Sequence, residues 1–340
     1  MSLSEFEVIR EFFNKKELAL DREEVLLGIG DDAALLSVPS EKVLSISADM
    51  LVESVHFPKD AAPAQIAKRA LLVNISDLAA MGAEPLCFTL SLALAKQSEI
   101  WLQQFSQGLA EIAQRYNIAL VGGDLVAGPT TISIQVHGLN SSENCLRRDR
   151  ASIGDLIFVT GCLGDGAVAL ASLGLKTHLG DSFKVNKEEY SINCQNYFNN
   201  IYFEPEPRIE FARSCGKYIA SAIDISDGLI GDLGHICKAS GVGATLFVDE
   251  IPYSQSANCC MSKSNLLQAA LYGGDDYELC VTVAKTDQEA FMQAAESTNT
   301  PVRCIGEIND SDRIRCHNNS GEELQFHNAP YTHFSGEIQE

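Results

Sequence analysis

Six short acidic clusters follow apolar runs in this sequence, and most of them contain glycine. They are Gly30-Asp31-Asp32, Ser47-Ala48-Asp49, Asn74-Ile75-Ser76-Asp77, Gly122-Gly123-Asp124, Asp224-Ile225-Ser226-Asp227-Gly228 and Gly273-Gly274-Asp275-Asp276. A single Gly-Asp pair is an ordinary turn, but this many indicate carboxylates that the fold gathers at one place. Hard cations such as Mg²⁺ relieve the repulsion among gathered carboxylates. Several Mg²⁺ ions beside glycine-rich backbone are typical of a site for a polyphosphate such as ATP.

The composition excludes several classes of protein. The net charge of −21 disfavours nucleic acid as a partner, because its phosphates would be repelled. No apolar run reaches the roughly 18 residues that a membrane-spanning helix needs. The first residues lack the pattern of a secretory signal, and the 11 irregularly spaced cysteines favour reduced thiols over a disulfide framework or a zinc site. We therefore expect a cytoplasmic protein.

Helical and extended patterns alternate along the 340 residues, which predicts an α/β (α+β) fold with two domains. The sequence becomes charged and irregular around Arg147–Ile153, and this change predicts a boundary between domains at 1–150 and 151–340. The polar stretch 175–200 lacks a clear period and predicts a loop.

Two of the acidic clusters have an ordinary alternative explanation that the spacing leaves open. Asp224 and Asp227 flank a strand-to-helix junction, where one acidic residue is explained by helix capping and two are better explained by a phosphate–metal site. Asp77 falls within an amphipathic helical pattern, so its carboxylate either faces water or binds a cation.

Other candidates are weaker when taken alone. Arg147-Arg148 suits either a solvated loop or a phosphate, and His56 suits either packing or ligand binding. The sequence contains no P-loop and no protein-kinase His-Arg-Asp set. It also lacks the glycine spacing of a dinucleotide fingerprint, so a redox enzyme is poorly supported.

Taken together, the ordered motifs resemble the thiamine-monophosphate kinase family, within the wider superfamily of aminoimidazole-ribonucleotide synthetase. The matching stretches are Gly28–Ala34, Ile46–Asp49 with His56-Phe57, Val73–Ala83, Gly122–Asp124, Ala222–Leu229 and Gly273–Leu279. Their order and spacing match from about residue 5 to residue 334.

The resemblance implies a two-domain α/β fold whose N-terminal domain dimerises through its sheet into a barrel. The first domain would bind ATP and magnesium, and the second would complete the nucleotide and substrate site. The implied reaction transfers the γ-phosphate of ATP to thiamine monophosphate, giving thiamine diphosphate and ADP. Several Mg²⁺ ions, a homodimer and a role in thiamine biosynthesis are implied as well.

The resemblance also assigns roles to individual residues. The implied Mg²⁺ ligands are Asp32, Ser47, Asp49, Asp77, Asp124, Asp224 and Asp227. The implied nucleotide contacts are Gly123, Asp124, Arg148 and Ser226. The implied contacts to thiamine monophosphate are His56, Asp275 and Tyr331.

Two positions depart from the family pattern. Ala48 stands where relatives often have Thr, so any metal contact there would come from the backbone. Asp275 stands where many relatives have Glu, so its carboxylate reaches about 1.5 Å less far.

The implied mechanism is direct in-line transfer without a phosphoenzyme, because a phosphate monoester is already a nucleophile. Beyond groups that bind metal or position phosphate, we expect no separate catalytic residue. Two alternatives stay open: a synthetase of the same superfamily that activates a carbonyl or amide oxygen with ATP, and a non-catalytic, acidic metal-binding protein.

Overall fold

The computed structural model describes residues 4–95, 98–143, 145–180, 183–186 and 190–325. The chain divides into two compact units. The first comprises Met1–Cys145 together with Phe203–Ile209, and the second comprises Leu146–Tyr202 and Glu210–Glu340.

The first unit is a sheet backed by two long helices. Its elements are α1 (Glu5–Val8), a π-helical turn (Ile9–Phe13), β1 (Val25–Leu27), β2 (Leu35–Leu36), β3 (Lys42–Val52), α2 (Pro63–Ala80), β4 (Glu84–Leu94), α3 (Glu99–Tyr116), β5 (Ala119–Ala127) and β6 (Thr131–Ser141). β1 and β2 form a separate two-stranded ribbon. The main sheet has the order β3-β6-β4-β5, so β3 and β5 are its edges. The described residues therefore form an open sheet rather than a closed barrel.

Local sequence signals explain where the two helices begin and end. Pro63 is the first residue of α2, where its missing N–H is harmless. Ser98 caps α3 by accepting from the N–H of Trp101, and Asn117 ends the helix in the left-handed conformation. These two signals frame α3. α2 packs on β3, β4 and β6, and its apolar side chains form the core with that face of the sheet.

The second unit is built on a seven-stranded sheet with helices around it. Its elements are β7 (Leu156–Thr160), α4 (Asp165–Ser172), α5 (Ile192–Phe203), α6 (Ile209–Cys215), β8 (Ile219–Asp224), α7 (Leu229–Ser240), β9 (Gly243–Phe247), α8 (Gln255–Cys260), α9 (Lys263–Tyr272), β10 (Leu279–Val283), α10 (Gln288–Ser297), β11 (Val302–Asn309), β12 (Ile314–His317) and β13 (Glu323–Leu324), with 3₁₀ turns at Gly216–Tyr218, Val248–Glu250 and Lys285–Asp287. The strand order is β13-β12-β9-β11-β7-β10-β8, and only β12 and β9 pair in parallel. β7 and β10 are buried throughout, as expected for central strands.

The loop expected over 175–200 is only partly present. α5 occupies the end of this stretch, because Phe198 and Tyr202 lie one helical turn apart and are fully buried. The surrounding Asn residues had hidden this apolar spacing.

No helix in the described ranges is long and apolar enough to cross a membrane.

Candidate functional site

A cavity of about 660 Å³ in the first unit collects two of the acidic clusters. The turn Gly30–Ala34 and the β5 segment Gly122–Leu125 line it, so Asp32 and Asp124 both face this space. Phe6, Ile9 and Phe13 of the N-terminal helical segment supply apolar walls. The cavity therefore combines exposed carboxylates and glycine backbone with an apolar surface.

Gly123 lies inside β5, and not in a turn after a short strand as the sequence suggested. Its φ is +150°, and a Cβ placed there would lie 1.8 Å from the carbonyl oxygen of Leu90 on β4. The strand continues through the glycines because their lack of side chains lets β5 approach β4 this closely. The Ser47–Asp49 cluster likewise lies within β3 and not at its end.

Ser47 and Asp77 form a direct side-chain pair in the first unit. The Ser47 hydroxyl donates to Oδ2 of Asp77 at 2.6 Å, and both side chains are half-buried. One strand position further on, the backbone N–H of Asp49 donates to Oδ1 of Asn74 at 3.0 Å. Asn74 is anchored in turn, because its amide donates to the carbonyl of Ala70 at 2.8 Å. Asp77 thus faces β3, where its carboxylate is half-buried beside Ser47.

His56 lies in the turn after β3 with its tautomer set by the backbone. The N–H of Val52 donates to Nδ1 of His56 at 3.0 Å. A neutral imidazole that accepts at Nδ1 carries its proton on Nε2, so that nitrogen is the donor.

In the second unit, the Ser226–Asp227 turn is held by a buried carboxylate. Oδ2 of Asp232 accepts from the N–H of Ser226 and from that of Asp227, each at 3.1 Å. Burial raises the pKa of Asp232 to about 7, while the two backbone donors and the nearby Arg148 guanidinium lower it. Asp232 therefore fixes the backbone of the Ser226–Asp227 turn.

The capping interpretation of this cluster is not what the structure contains. α7 begins at Leu229 after Gly228, and no side chain caps it. Asp224 is buried at the end of β8, paired in register with Leu279 of β10.

Two of the sequence motifs meet through their backbones in the second unit. The N–H of Asp275 donates to the carbonyl of Ser226 at 2.8 Å, and that of Tyr277 donates to the carbonyl of Ile225 at 2.9 Å. The N–H of Ile225 donates back to the carbonyl of Glu278 at 2.8 Å. The Ile225–Ser226 segment and the Asp275–Glu278 segment therefore form one folded element.

Asp276 lies at the centre of that element. It is buried, and its two oxygens accept from the N–H groups of Gly164 at 2.8 Å and Gly166 at 2.9 Å. Burial raises its pKa well above the usual value, and the two backbone donors oppose that shift. Its neighbour Asp275 is half-buried and accepts from the Tyr277 hydroxyl at 3.1 Å.

The carboxylates expected to bind Mg²⁺ are distributed over both units. Asp32 and Asp124 share the cavity, Asp77 pairs with Ser47, and Asp227 belongs to the second unit. In the described part of the chain, no three Asp, Glu, His or Cys side chains are grouped so that they could hold a metal ion. Tyr331 lies outside the described residues.

The donors nevertheless match Mg²⁺ in type. Around the Ser47–Asp77 pair they are carboxylate, hydroxyl and amide oxygens, which are the ligands that hard cations take.

The sequence pattern assigned no separate role to Asn74, Asp232 or Asp276. Their side chains accept hydrogen bonds from the backbone N–H groups of Asp49, of Ser226 and Asp227, and of Gly164 and Gly166, respectively. A signal exists for Asp232, because it interrupts the apolar stripe of Leu229, Leu233 and Ile236 on the buried face of α7. Asp276 gives no such signal, since it follows another aspartate in a glycine-rich turn.

The two-unit α/β fold and the acidic segments beside its glycines point to one class of protein, the proteins related to AIR synthase. Residues 30–140 match the family model "AIR synthase related protein, N-terminal domain", and residues 152–318 match its C-terminal counterpart.

Full-length relatives narrow this class. Thiamine-monophosphate kinase of Escherichia coli (strain K12) is 38% identical over 98% of this chain and 99% of its own length. The crystal structure of thiamine-monophosphate kinase from Stenotrophomonas maltophilia K279a is 38% identical, with a TM-score of 0.81 over 95% of this chain and 99% of the other. AaThiL, solved in complex with AMPPCP and TMP, is 27% identical, with a TM-score of 0.73 over 98% of this chain and 99% of its own. The chain belongs to the thiamine-monophosphate kinase family.

Proposed function

We propose that this protein transfers the γ-phosphate of ATP to thiamine monophosphate, giving thiamine diphosphate and ADP in thiamine biosynthesis. The relatives that match it over nearly their whole length are thiamine-monophosphate kinases, and AaThiL was solved with an ATP analogue and TMP. A phosphotransferase with a phosphate acceptor is therefore favoured over the synthetase and over a non-catalytic metal-binding protein.

The structural observation that carries the proposal is the junction of two motifs in the second unit. Ser226, assigned to the nucleotide, accepts through its carbonyl from the N–H of Asp275, assigned to the acceptor. A reaction that joins two phosphates needs its donor and acceptor contacts on a rigid common element, and these backbone hydrogen bonds supply one.

We assign the nucleotide to Gly123, Asp124, Arg148 and Ser226. Arg148 lies close enough to Asp232 to lower the pKa of that carboxyl, so a guanidinium stands near the Ser226–Asp227 turn. A guanidinium is a bidentate donor to phosphate oxygens. We assign the acceptor to His56, Asp275 and Tyr331.

Several Mg²⁺ ions would be held by Asp32, Ser47, Asp49, Asp77, Asp124, Asp224 and Asp227. When bound, they supply neutralisation of the phosphate charge that otherwise keeps the two anionic substrates apart. Asn74 fixes the backbone of Asp49, and the Ser47–Asp77 hydrogen bond fixes the second carboxylate, so both oxygen donors are oriented in advance.

The remaining contribution of the chain is positioning. The acceptor phosphate is its own nucleophile, so transfer is direct and in line, and no phosphoenzyme forms. His56 donates from Nε2 to a phosphate oxygen, since its Nδ1 already accepts from Val52. Asp275 offers opposite charge to the thiazolium ring of thiamine monophosphate.

A cytoplasmic homodimer completes the proposal, with the first unit's sheet closing into a barrel across two copies. β3 is an edge strand, and its Ile46 and Met50 side chains are 55% and 56% exposed. Exposed apolar side chains on an open sheet edge support pairing with a second copy.

An assay of ADP release in the presence of Mg²⁺ tests the function. We expect ADP release that depends on thiamine monophosphate, with equimolar thiamine diphosphate in the product. ADP release driven instead by aminoimidazole precursors would assign the chain to the synthetase branch.

A further inference from the structure

We propose that Asp276 and Tyr277 are positioning residues that hold Asp275 in the conformation in which its carboxylate meets thiamine monophosphate. This inference rests on the proposed function, because Asp275 is assigned there to the acceptor. It adds two residues, neither of which touches the substrate, that determine how well the acceptor binds.

The backbone on both sides of Asp276 adopts a disfavoured conformation. Asp275 has φ of +61° and Tyr277 has φ of +51°, although neither is glycine. Residues with a side chain adopt this left-handed region only when their surroundings impose it, and such positions are concentrated at functional sites.

Asp276 supplies that constraint from inside the fold. Both of its oxygens are engaged, by the N–H groups of Gly164 and Gly166 at the start of α4. These donors lie 112 and 110 residues away along the chain, so Asp276 ties the Asp275 turn to a separate helix. Asparagine replaces one of these two oxygens with an NH₂ group, which donates, so one of the two glycine N–H groups would lose its acceptor.

Close backbone packing fixes the same turn from the outside. A Cβ on Gly166 would lie 2.3 Å from the carbonyl carbon and oxygen of Asp275. A Cβ on Gly274 would lie 2.4 Å from the carbonyl oxygen of Ser226. Asp275 is therefore wedged between the start of α4 and the Ser226 turn, and Asp276 locks that arrangement.

Tyr277 orients the carboxylate itself. Its hydroxyl donates to Oδ1 of Asp275 at 3.1 Å. An aspartate side chain is short, so the direction of its carboxylate decides what it can reach.

The test compares apparent KM values for the two substrates in matched variants. Asp276→Asn should raise the KM for thiamine monophosphate about tenfold, and Tyr277→Phe about threefold, with the KM for ATP unchanged in both. Asp155→Asn is the control, because buried Asp155 also accepts a backbone N–H, from Ser152 at 2.9 Å. It should lower the thermal unfolding midpoint without changing either KM.

Equal changes in both KM values for Asp276→Asn, with none for Tyr277→Phe, would overturn the inference and leave Asp276 a structural residue. If Asp276→Asn does not fold, the Tyr277→Phe values decide. Asp275→Ala distinguishes the acceptor role of Asp275 from the positioning role of its neighbours. If Asp275→Ala leaves the KM for thiamine monophosphate unchanged, the assignment of Asp275 to the acceptor is wrong. If Asp275→Ala raises that KM while Asp276→Asn and Tyr277→Phe do not, only the positioning role is wrong.

Discussion

At the level of single residues, the buried and half-buried aspartates of this protein differ in their hydrogen-bond partners. Asp232 and Asp276 accept from backbone N–H groups of glycine- and serine-rich turns. Asp165 instead accepts from two hydroxyls, those of Tyr197 and Ser254, each at 2.7 Å. Asp77, in contrast, is half-buried and accepts from the hydroxyl of Ser47. Asp232, Asp276 and Asp165 therefore hold parts of the fold together, whereas we propose that Asp77 binds a metal ion.

The Asp165 carboxyl should make stability depend on pH. Burial raises its pKa from 3.8 to about 6, against the opposing effect of its hydroxyl partners. A carboxyl with a raised pKa binds its proton more tightly in the folded state, so stability falls as pH rises from the unfolded pKa through the folded pKa. We expect Asp165 to cost about 1 kcal/mol of unfolding free energy between about pH 5 and about pH 7.5.

Urea unfolding of the wild type and of Asp165→Asn across that range measures this effect. The stability of the variant relative to the wild type should improve as pH rises, because asparagine does not titrate. A constant difference at every pH would show that Asp165 ionises normally in the folded protein.

Asp77→Asn should remove activity without unfolding the protein. The amide keeps the shape and can still accept from Ser47, but it lacks the charge that the proposed Mg²⁺ site needs. We expect kcat to fall by about a hundredfold or more, with the thermal midpoint nearly unchanged. Asp60→Asn, at an exposed position of the same unit, is the control and should keep full activity. Near-normal turnover of Asp77→Asn at ordinary Mg²⁺ would contradict the assignment.

At the level of elements, the strands and helices with strong periodicity were predictable and the positions of the acidic clusters on them were not. α3 is predictable because Leu102, Phe105, Leu109 and Ile112 recur at helical spacing and are buried. The Gly122–Asp124 cluster was expected after a strand because glycine weakens strand formation, yet close pairing with β4 overrides that preference. α8 and α9 are not predictable from the pattern, since their small and polar residues show little periodicity.

The close pairing of β4 and β5 predicts that alanine is tolerated at Gly122 but not at its neighbour Gly123. Gly123→Ala should destabilise the protein by about 2–4 kcal/mol, because the new methyl group meets the Leu90 carbonyl and the φ is unfavourable. Gly122→Ala should change stability by less than about 1 kcal/mol, since nothing lies within 4 Å of a Cβ there. Denaturant midpoints of the two variants measure the difference. Equal midpoints would mean that β5 is not held against β4 in this way.

At the level of the whole molecule, the ordered set of motifs identified the family, although single clusters were too common to do so. The resemblance rested on six stretches across the chain, and the full-length relatives support it. Physical reasoning from single residues could not reach Asp276 or Asn74, because their roles depend on hydrogen bonds to distant or adjacent elements that only the fold creates.

If the protein is a dimer, we expect the exposed face of β3 to form its interface. In β3, Ser47 and Asp49 face α2, so by strand alternation Ile46 and Met50 face the opposite side of the sheet, where they are exposed. Burying them against a second copy would remove that apolar surface from water. We therefore expect sedimentation of the wild type as a dimer at micromolar concentration, and of Ile46→Lys with Met50→Lys as a folded monomer.

Ile153→Lys is the matched control, because Ile153 is 65% exposed but belongs to the second unit. That variant should sediment as the wild type does, so a loss of the dimer confined to the β3 variant would locate the interface on this face. A wild type that sediments as a stable monomer would contradict the dimer and, with it, the barrel across two copies. A dimer that survives both lysines on β3 would instead place the interface elsewhere, because two desolvated ammonium groups would outweigh the apolar contact they replace.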